Sequence, residues 1–289
     1  MDITTIITQI FLPISLAIIM FGMGLTLVVA DFGRLFTYPK AVIVGLCNQL
    51  IFLPLIGFSI ILLFNLNSAM AIGIMILSVC PGGPTSNLIT QVAKGNIGLS
   101  VTLTALASLI TVFTIPIILS KAIAYFSGSA DVIIELPVIQ TMLQILVITV
   151  IPVSIGMVIK KKNEGFALRM ERPMRTASTV LFIIIFLLVM IANKENIIQA
   201  MKEVGLATLI LNLSTMGLGY ITAKFFGITG KSQISITIES GIQNGTLAFV
   251  IATTILNNIE MGLPTGAYSI WMFLTGGILM WRLGSKRNK

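Results

Sequence analysis

Histidine is absent from this chain of 289 residues. That removes the usual proton relay, the commonest metal ligand and any Ser-His-Asp triad together. Charge is scarce as well: Asp, Glu, Lys and Arg make up 10% of the residues, where a soluble domain carries about 25%. With 56% hydrophobic residues, the sequence reads as an all-α integral membrane protein with almost no extramembrane domain. The two cysteines, Cys47 and Cys80, lie inside apolar runs and imply buried packing rather than a disulfide framework. The start, Met1-Asp2-Ile3-Thr4-Thr5, has no basic segment, and the apolar stretch to Ala30 has no small-residue cleavage site. It reads as a span, not a signal peptide. An intramembrane enzyme would need a nucleophile with a base, or paired acids, and neither is present, so no enzyme is expected. A channel would prefer a symmetric ring of ligands around a continuous pore.

Runs of about 20 apolar residues, enough to cross the hydrocarbon, predict nine transmembrane helices at 5–29, 40–64, 68–92, 97–120, 137–159, 175–193, 204–226, 232–257 and 265–283. Lys and Arg sort by side. One set of ends carries Arg34, Lys40, Lys94, Lys160, Lys161, Lys162, Arg169, Arg172, Arg175, Lys224, Lys231, Arg282, Lys286, Arg287 and Lys289; the other carries Lys121, Lys194 and Lys202. The richer side is cytoplasmic by the positive-inside rule, so the N-terminus is expected outside and the C-terminus inside. The net charge of +8 is then a topology signal and a contact with anionic membrane lipid. No basic face with interleaved aromatics exists to bind nucleic acid, and no obligatory protein partner is evident. The basic loop after Lys160 divides residues 1–120, with spans 1 to 4, from residues 137–289, with spans 5 to 9.

Two spans are interrupted by polar clusters: Pro81-Gly82-Gly83-Pro84-Thr85-Ser86-Asn87 in span 3, and Glu239-Ser240-Gly241-Ile242-Gln243-Asn244 in span 8. Pro and Gly break helices and free backbone groups, which in lipid must find internal partners. The two broken spans lie in opposite halves and run in opposite directions. That is the pattern of an inverted-repeat secondary transporter with its binding site at mid-depth. Thr85 or Ser86 is placed to cap the half-helix that follows, whose positive end suits an anion. Glu239 is the one carboxylate near the middle of a span, and no Lys or Arg lies at its depth to pair with it. Such a group either takes up a proton or holds a cation. Ser, Thr, Asn, Gln, one carboxylate and open carbonyls form the ligand set of a hard cation such as Na⁺. Two alternatives stay open from the residues: a proton-coupled or sodium-independent carrier or exporter with Glu239 as its protonation site, and a solute-binding membrane sensor. Ser100, Thr104 and Ser108 share one face of span 4, either as ligands or as small residues allowing close packing. Asn48 and Gln49 in span 2, and Asn212 and Ser214 in span 7, can equally be interhelical hydrogen-bonding residues.

Several motifs, in order along nearly the whole chain, resemble the bile acid:sodium symporter family. They are Phe21-Gly22-Met23-Gly24-Leu25-Thr26-Leu27, Pro39-Lys40-Ala41-Val42, Gln49 five residues before Pro54, Pro81-Gly82-Gly83 followed by Ser86-Asn87, Lys94-Gly95-Asn96 leading to Leu99-Ser100, and Glu239-x-Gly241-x-Gln243-Asn244. The resemblance implies a bacterial inner-membrane symporter with a core domain of spans 2, 3, 4, 7, 8 and 9, a panel domain of spans 1, 5 and 6, and a solute cavity between them. The chain's start matches the second helix of ten-helix relatives. The resemblance also implies two sodium ions: the first at Ser86, Asn87, Ser100, Thr104 and Glu239; the second at Gln49, Glu239, Gln243 and the carbonyls of Ser240 and Ile242. Thr85 and Asn244 would face the solute. Two ions against one carboxylate leave positive charge that a small or amphipathic organic anion would balance. Three departures stand out: Pro84 where a small residue is usual, Gly245-Thr246 in place of a Ser-Gly pair, and Met272-Phe273 in place of a polar pair. The last argues against bile acid itself as the natural substrate.

Overall fold

The computed structural model describes residues 7–128, 136–170 and 194–285, with residues 173, 174, 176, 177, 180 and 184 between. The elements are α1 (Thr8–Gly24), α2 (Val29–Thr37), α3 (Pro39–Phe64), α4 (Ser68–Val79), α5 (Pro84–Val92), α6 (Ile97–Ser127), α7 (Val138–Lys162), α8 (Lys194–Phe225), α9 (Gly230–Gly241), α10 (Gly245–Ile255) and α11 (Leu263–Gly284). Among the described residues there is no strand. Five continuous helices are long and apolar enough to cross a membrane, and α1 with α2 makes a sixth if that bent pair is one span. The chain is therefore an all-helical integral membrane protein. The sixth expected span, 175–193, falls largely outside the described residues, as do Arg172, Arg175, Lys286, Arg287 and Lys289.

Three boundaries differ from expectation. The first span ends at Gly24, and the chain then bends by 66° into α2. This separate helix is stabilised by its own first turn: Asp31 accepts the Val28 N–H at 2.8 Å and pairs with Arg34 at 3.3 Å. Helix α6 runs seven residues past the expected end, and α8 is already helical at Lys194, ten residues before the apolar run starts. Hydropathy marks where lipid begins and ends, whereas a helix continues as long as its backbone bonds do.

Proline shapes several spans from inside. A helical Pro has no N–H, and its ring crowds the carbonyl four residues back. Widening the preceding turn relieves both problems. Residues Ile7–Phe11, Asn48–Phe52 and Leu146–Val150 form such π-turns, each ending two residues before Pro13, Pro54 or Pro152. The tetrapeptide Ile-Phe-Leu-Pro occurs at both 10–13 and 51–54. π-turns are frequent at functional sites, and Gln49 lies in the second of these.

Helix α1 packs along α7, and their backbones meet at glycine: a Cβ on Gly156 would lie 2.5 Å from the Phe21 carbonyl oxygen. Helix α2 lies on α6 and α3. Helix α8 packs along α9 and α11, and α4 packs on α3, α6 and α11. The apolar core runs through these contacts with Leu16, Ile72, Ile76, Leu77, Ile115, Leu211, Ile238 and Ile242 fully buried.

Candidate functional site

Both expected interruptions are present. Helix α4 ends at Val79 and α5 begins at Pro84; α9 ends at Gly241 and α10 begins at Gly245. At about 1.5 Å per residue the 12-residue α4 and α9 reach only about 18 Å, too short to cross a bilayer core alone. The breaks face each other. Gly82 and Gln243 form an isolated antiparallel bridge, and the Asn244 N–H donates to the Pro81 carbonyl at 2.8 Å. Strand-like pairing of two extended segments satisfies groups that lipid cannot. Gly82 is required by this approach: an added Cβ would lie 2.5 Å from Glu239 Oε2 and 3.2 Å from Gln49 Nε2.

Glu239 occupies the crossing and is fully buried. Four side chains converge on its carboxylate from three other helices. Ser86 Oγ donates to Oε1 at 2.5 Å, Ser100 Oγ also reaches Oε1, Thr104 Oγ1 donates to Oε2 at 2.9 Å, and Gln49 Nε2 lies 3.3 Å from Oε2. All four are themselves buried. Gln49 lies in the π-turn before Pro54, and its amide also donates to the Glu239 carbonyl at 2.9 Å. Asn87 joins through Ser100, whose hydroxyl lies 2.8 Å from Asn87 Oδ1. Thr90 was not anticipated; it is fully buried and lies 3.3 Å from the same hydroxyl. Its position one turn after Ser86-Asn87 on α5 was the available signal.

The oxygens outnumber the protons. Ser86 Oγ is 2.7 Å from the Gly83 carbonyl as well as 2.5 Å from Glu239. Ser100 Oγ reaches both Asn87 and Glu239. Each hydroxyl carries one proton, so two protons face four close approaches. A further proton on the carboxyl, or a small cation among these oxygens, would relieve the shortage. Beside this group, Gln49 Oε1 and Gln243 Oε1 are buried without a hydrogen-bond partner, because both amide nitrogens are turned to carbonyls at the break. Gln243 Nε2 donates to the Ser240 carbonyl at 3.0 Å. Two orphaned buried oxygens each cost about 1–3 kcal/mol unless something binds there. The donor set, all oxygen and one carboxylate, fits Na⁺ and not a soft metal. Among the described residues no three His, Cys, Asp or Glu side chains come together.

The other candidate residues lie around this group. Neither Thr85 nor Ser86 caps α5: the cap position is Gly83, with Pro84 at the first turn, and Ser86 lies inside that turn. Pro84 leaves the helix no N–H to cap there. Thr85 is half-buried on the same turn. Asn244 is the cap of α10, its Oδ1 accepting the Leu247 N–H at 3.0 Å. Ser108 donates back to the Thr104 carbonyl at 2.7 Å, a packing role. Asn48 pairs with Thr222 at 2.8 Å across α3 and α8, and Ser214 is exposed. Asn212 does join helices, but at the break itself, donating to the Gly241 carbonyl at 2.8 Å. The Ile242 carbonyl lies beside it, at the fully buried turn between α9 and Gln243.

Residues 13–200 match the model of the sodium bile acid symporter family. The chain is 30% identical over 269 residues to the uncharacterized sodium-dependent transporter YocS of Bacillus subtilis, covering 93% of this chain and 81% of the relative. It is 28% identical over 280 residues to the probable chloroplastic sodium/metabolite cotransporter BASS1 of Arabidopsis thaliana, covering 95% and 67%. It is 28% identical over 250 residues to the human ileal sodium/bile acid cotransporter, covering 86% and 71%. These are transporters, not enzymes. The match over residues 13–200, with 30% identity to a relative covered over 81% of its length, places this chain in the sodium bile acid symporter family.

Proposed function

We propose that this chain is a sodium-coupled symporter of a small organic anion. The observation that carries it is the proton shortage around Glu239: a buried carboxylate, two hydroxyls with four close oxygen neighbours, and two glutamine oxygens without partners. Two Na⁺ ions would supply the missing positive charge. One would sit among Ser86, Asn87, Ser100, Thr104 and Glu239; the other among Gln49, Glu239, Gln243 and the carbonyls of Ser240 and Ile242. The relatives' printed names, sodium-dependent transporter and sodium/bile acid or sodium/metabolite cotransporter, support sodium as the co-transported ion. Met272 and Phe273, where the resemblance implies a polar pair, argue against bile acid itself as the substrate. Thr85 and the start of α10 at Asn244 would meet its carboxylate, where helix amides and partial positive charge gather.

Nine spans follow if each interrupted pair, α4 with α5 and α9 with α10, is one span and 175–193 is another. The basic residues then put the N-terminus outside and the C-terminus in the cytoplasm of a bacterial cell. Helices α1 and α7, with the sixth span, would form the panel; α3 to α6 and α8 to α11 would form the core. Sodium would order the two breaks, ordered breaks would complete the solute site, and core and panel would rock to expose it to either side. Coupling of this kind is reciprocal, so solute must also tighten sodium.

A thermal-stability screen of small carboxylic acids in Na⁺ or K⁺ tests this. An acid that stabilises the protein in Na⁺ and not in K⁺ is the expected result. Its uptake into proteoliposomes should follow a sodium gradient alone and vanish in Glu239→Gln. Uptake driven by a pH gradient alone, with no response to sodium, would replace the sodium symporter with a proton-coupled carrier.

A further inference from the structure

We propose that Tyr268 and Asn212 are positioning residues for the second sodium ion, acting through the Gly241 carbonyl; this rests on the sodium symport proposed above. Gly241 is the last residue of α9, and its carbonyl is one of the four that a helix end leaves without a backbone donor. Two side chains from different helices take it. Tyr268 Oη of α11 donates to it at 2.8 Å, and Asn212 Nδ2 of α8 donates at 2.8 Å. The two donors also touch each other, with Asn212 Nδ2 3.3 Å from Tyr268 Oη. Tyr268 and Asn212 are both fully buried. Thr275, two turns along α11 from Tyr268, donates to Asn212 Oδ1 at 2.8 Å. That contact fixes the amide so that its nitrogen, not its oxygen, faces Gly241. Trp271, between them, ties α11 to α8 through the Gly205 carbonyl at 2.9 Å.

The triangle has a directional consequence. Gly241 lies between Ser240 and Ile242, whose carbonyls are the backbone ligands proposed for the second ion. With the Gly241 oxygen held by two donors on the α8–α11 side, it is withdrawn from the ion. The peptide plane between residues 241 and 242 is fixed as well. The Ile242 N–H is held by the Ile238 carbonyl at 2.9 Å, so that plane is fastened at both its oxygen and its N–H. The Gln243 side chain also lies against the Tyr268 hydroxyl. Its unpartnered Oε1 is thereby aimed with its amide nitrogen already committed to Ser240. Plain packing would explain a buried aromatic ring here. It does not explain a buried hydroxyl and an amide, itself oriented by a threonine, meeting on one carbonyl at a helix break.

The test uses the full-length protein and ²²Na⁺ alone as the probe, with thermal stability in choline chloride as the measure of folding. Tyr268→Phe keeps the ring and removes the donor. It should weaken sodium binding about tenfold, or about 1.4 kcal/mol, while the sodium-free melting temperature stays within about 2 °C, the span of a fraction of a kcal/mol. Thr275→Val touches neither Gly241 nor Gln243 and should weaken binding about threefold through Asn212, the scale of a single neutral hydrogen bond; it decides the matter if Tyr268→Phe does not fold. Tyr268→Phe combined with Gln243→Ala should lose little beyond the larger single effect, whereas with Thr104→Ala the losses should add. Wild-type sodium affinity in the folded variants, or equal additivity with both partners, overturns the positioning role. Absence of saturable sodium binding in the unmodified protein overturns the symport proposal itself, and the positioning role falls with it.

Discussion

Replacing Gly82 with Ala tests the crossing most directly, because it adds one methyl group and no charge. The backbone at 82 is not left-handed, so alanine can adopt it. Its Cβ would lie 2.5 Å from Glu239 Oε2 and 3.2 Å from Gln49 Nε2, and the first distance is too short for a carbon against an oxygen. The carboxylate, held by Ser86, Ser100 and Thr104, must shift by several tenths of an ångström or more. Overpacking of this size costs about 1–3 kcal/mol; if about 2 kcal/mol falls on the sodium-bound state, binding weakens about 30-fold. Ligand stabilisation converts this into a thermal readout. At a sodium concentration about 100 times the wild-type Kd, stabilisation is about 2.7 kcal/mol, and a 30-fold weaker site retains about 0.9 kcal/mol. The measurement is melting of the detergent-solubilised protein across a sodium titration at constant ionic strength. Gly277→Ala is the control, since an added Cβ there meets nothing within 4 Å. Wild-type sodium stabilisation in Gly82→Ala would refute the placement of Glu239 against the α4–α5 break.

Two further outcomes follow from the same geometry. Pro54→Ala restores an N–H that the helix can use, removing the reason for the Asn48–Phe52 π-turn; Gln49 should rotate off Glu239, and ²²Na⁺ binding should weaken about tenfold, the scale of losing one hydrogen bond to a charged group. Unchanged binding would show that tertiary packing, not Pro54, holds the turn. At the other end of α1, Thr254 Oγ1 donates to the Thr8 carbonyl at 2.6 Å, and Gln9 Nε2 lies 3.2 Å from both the Thr253 carbonyl and Asn257 Oδ1. Thr254→Val should loosen this end and raise the alkylation rate of a cysteine placed at Asn258 by about two- to tenfold, the span of one hydrogen bond; an unchanged rate would mean that these contacts do not hold that end closed.

The breaks were legible in the sequence because Pro and Gly amid apolar residues have few other uses inside a membrane. Glu239 was legible because a lone acid at mid-depth requires a partner. Gln49, Ser100 and Thr104 were ambiguous from the residues alone: each type also serves as packing or interhelical bonding, and the resemblance favoured the ion site. Their convergence joins residues 135 to 190 positions apart, a separation that periodicity cannot see. The Tyr268–Asn212–Thr275 triangle was illegible for the same reason, and Asn212 read only as a helix-joining residue. The π-turns were missed although their cause was in view, since an X-Pro inside a long apolar run demands some local adjustment. The 66° bend after Gly24 was hidden because residues 25–30 are as apolar as the span they follow.

That bend has a mechanical consequence. The bend, with residues 25–28 joining α1 to α2, is fastened from both sides: Lys160 of α7 bonds to the Thr26 carbonyl within it, and Thr102 of α6 bonds to the Asp31 carbonyl in the first turn of α2. Four residues, even fully extended, reach about 14 Å at most. In the rocking motion proposed above, so short a tether would limit sliding of α1 and α7 past α6 and favour rotation about this point. The cytoplasmic corner expected here would act as a pivot, and the largest displacements would occur at the far end of α1, where Thr8 and Gln9 meet α10.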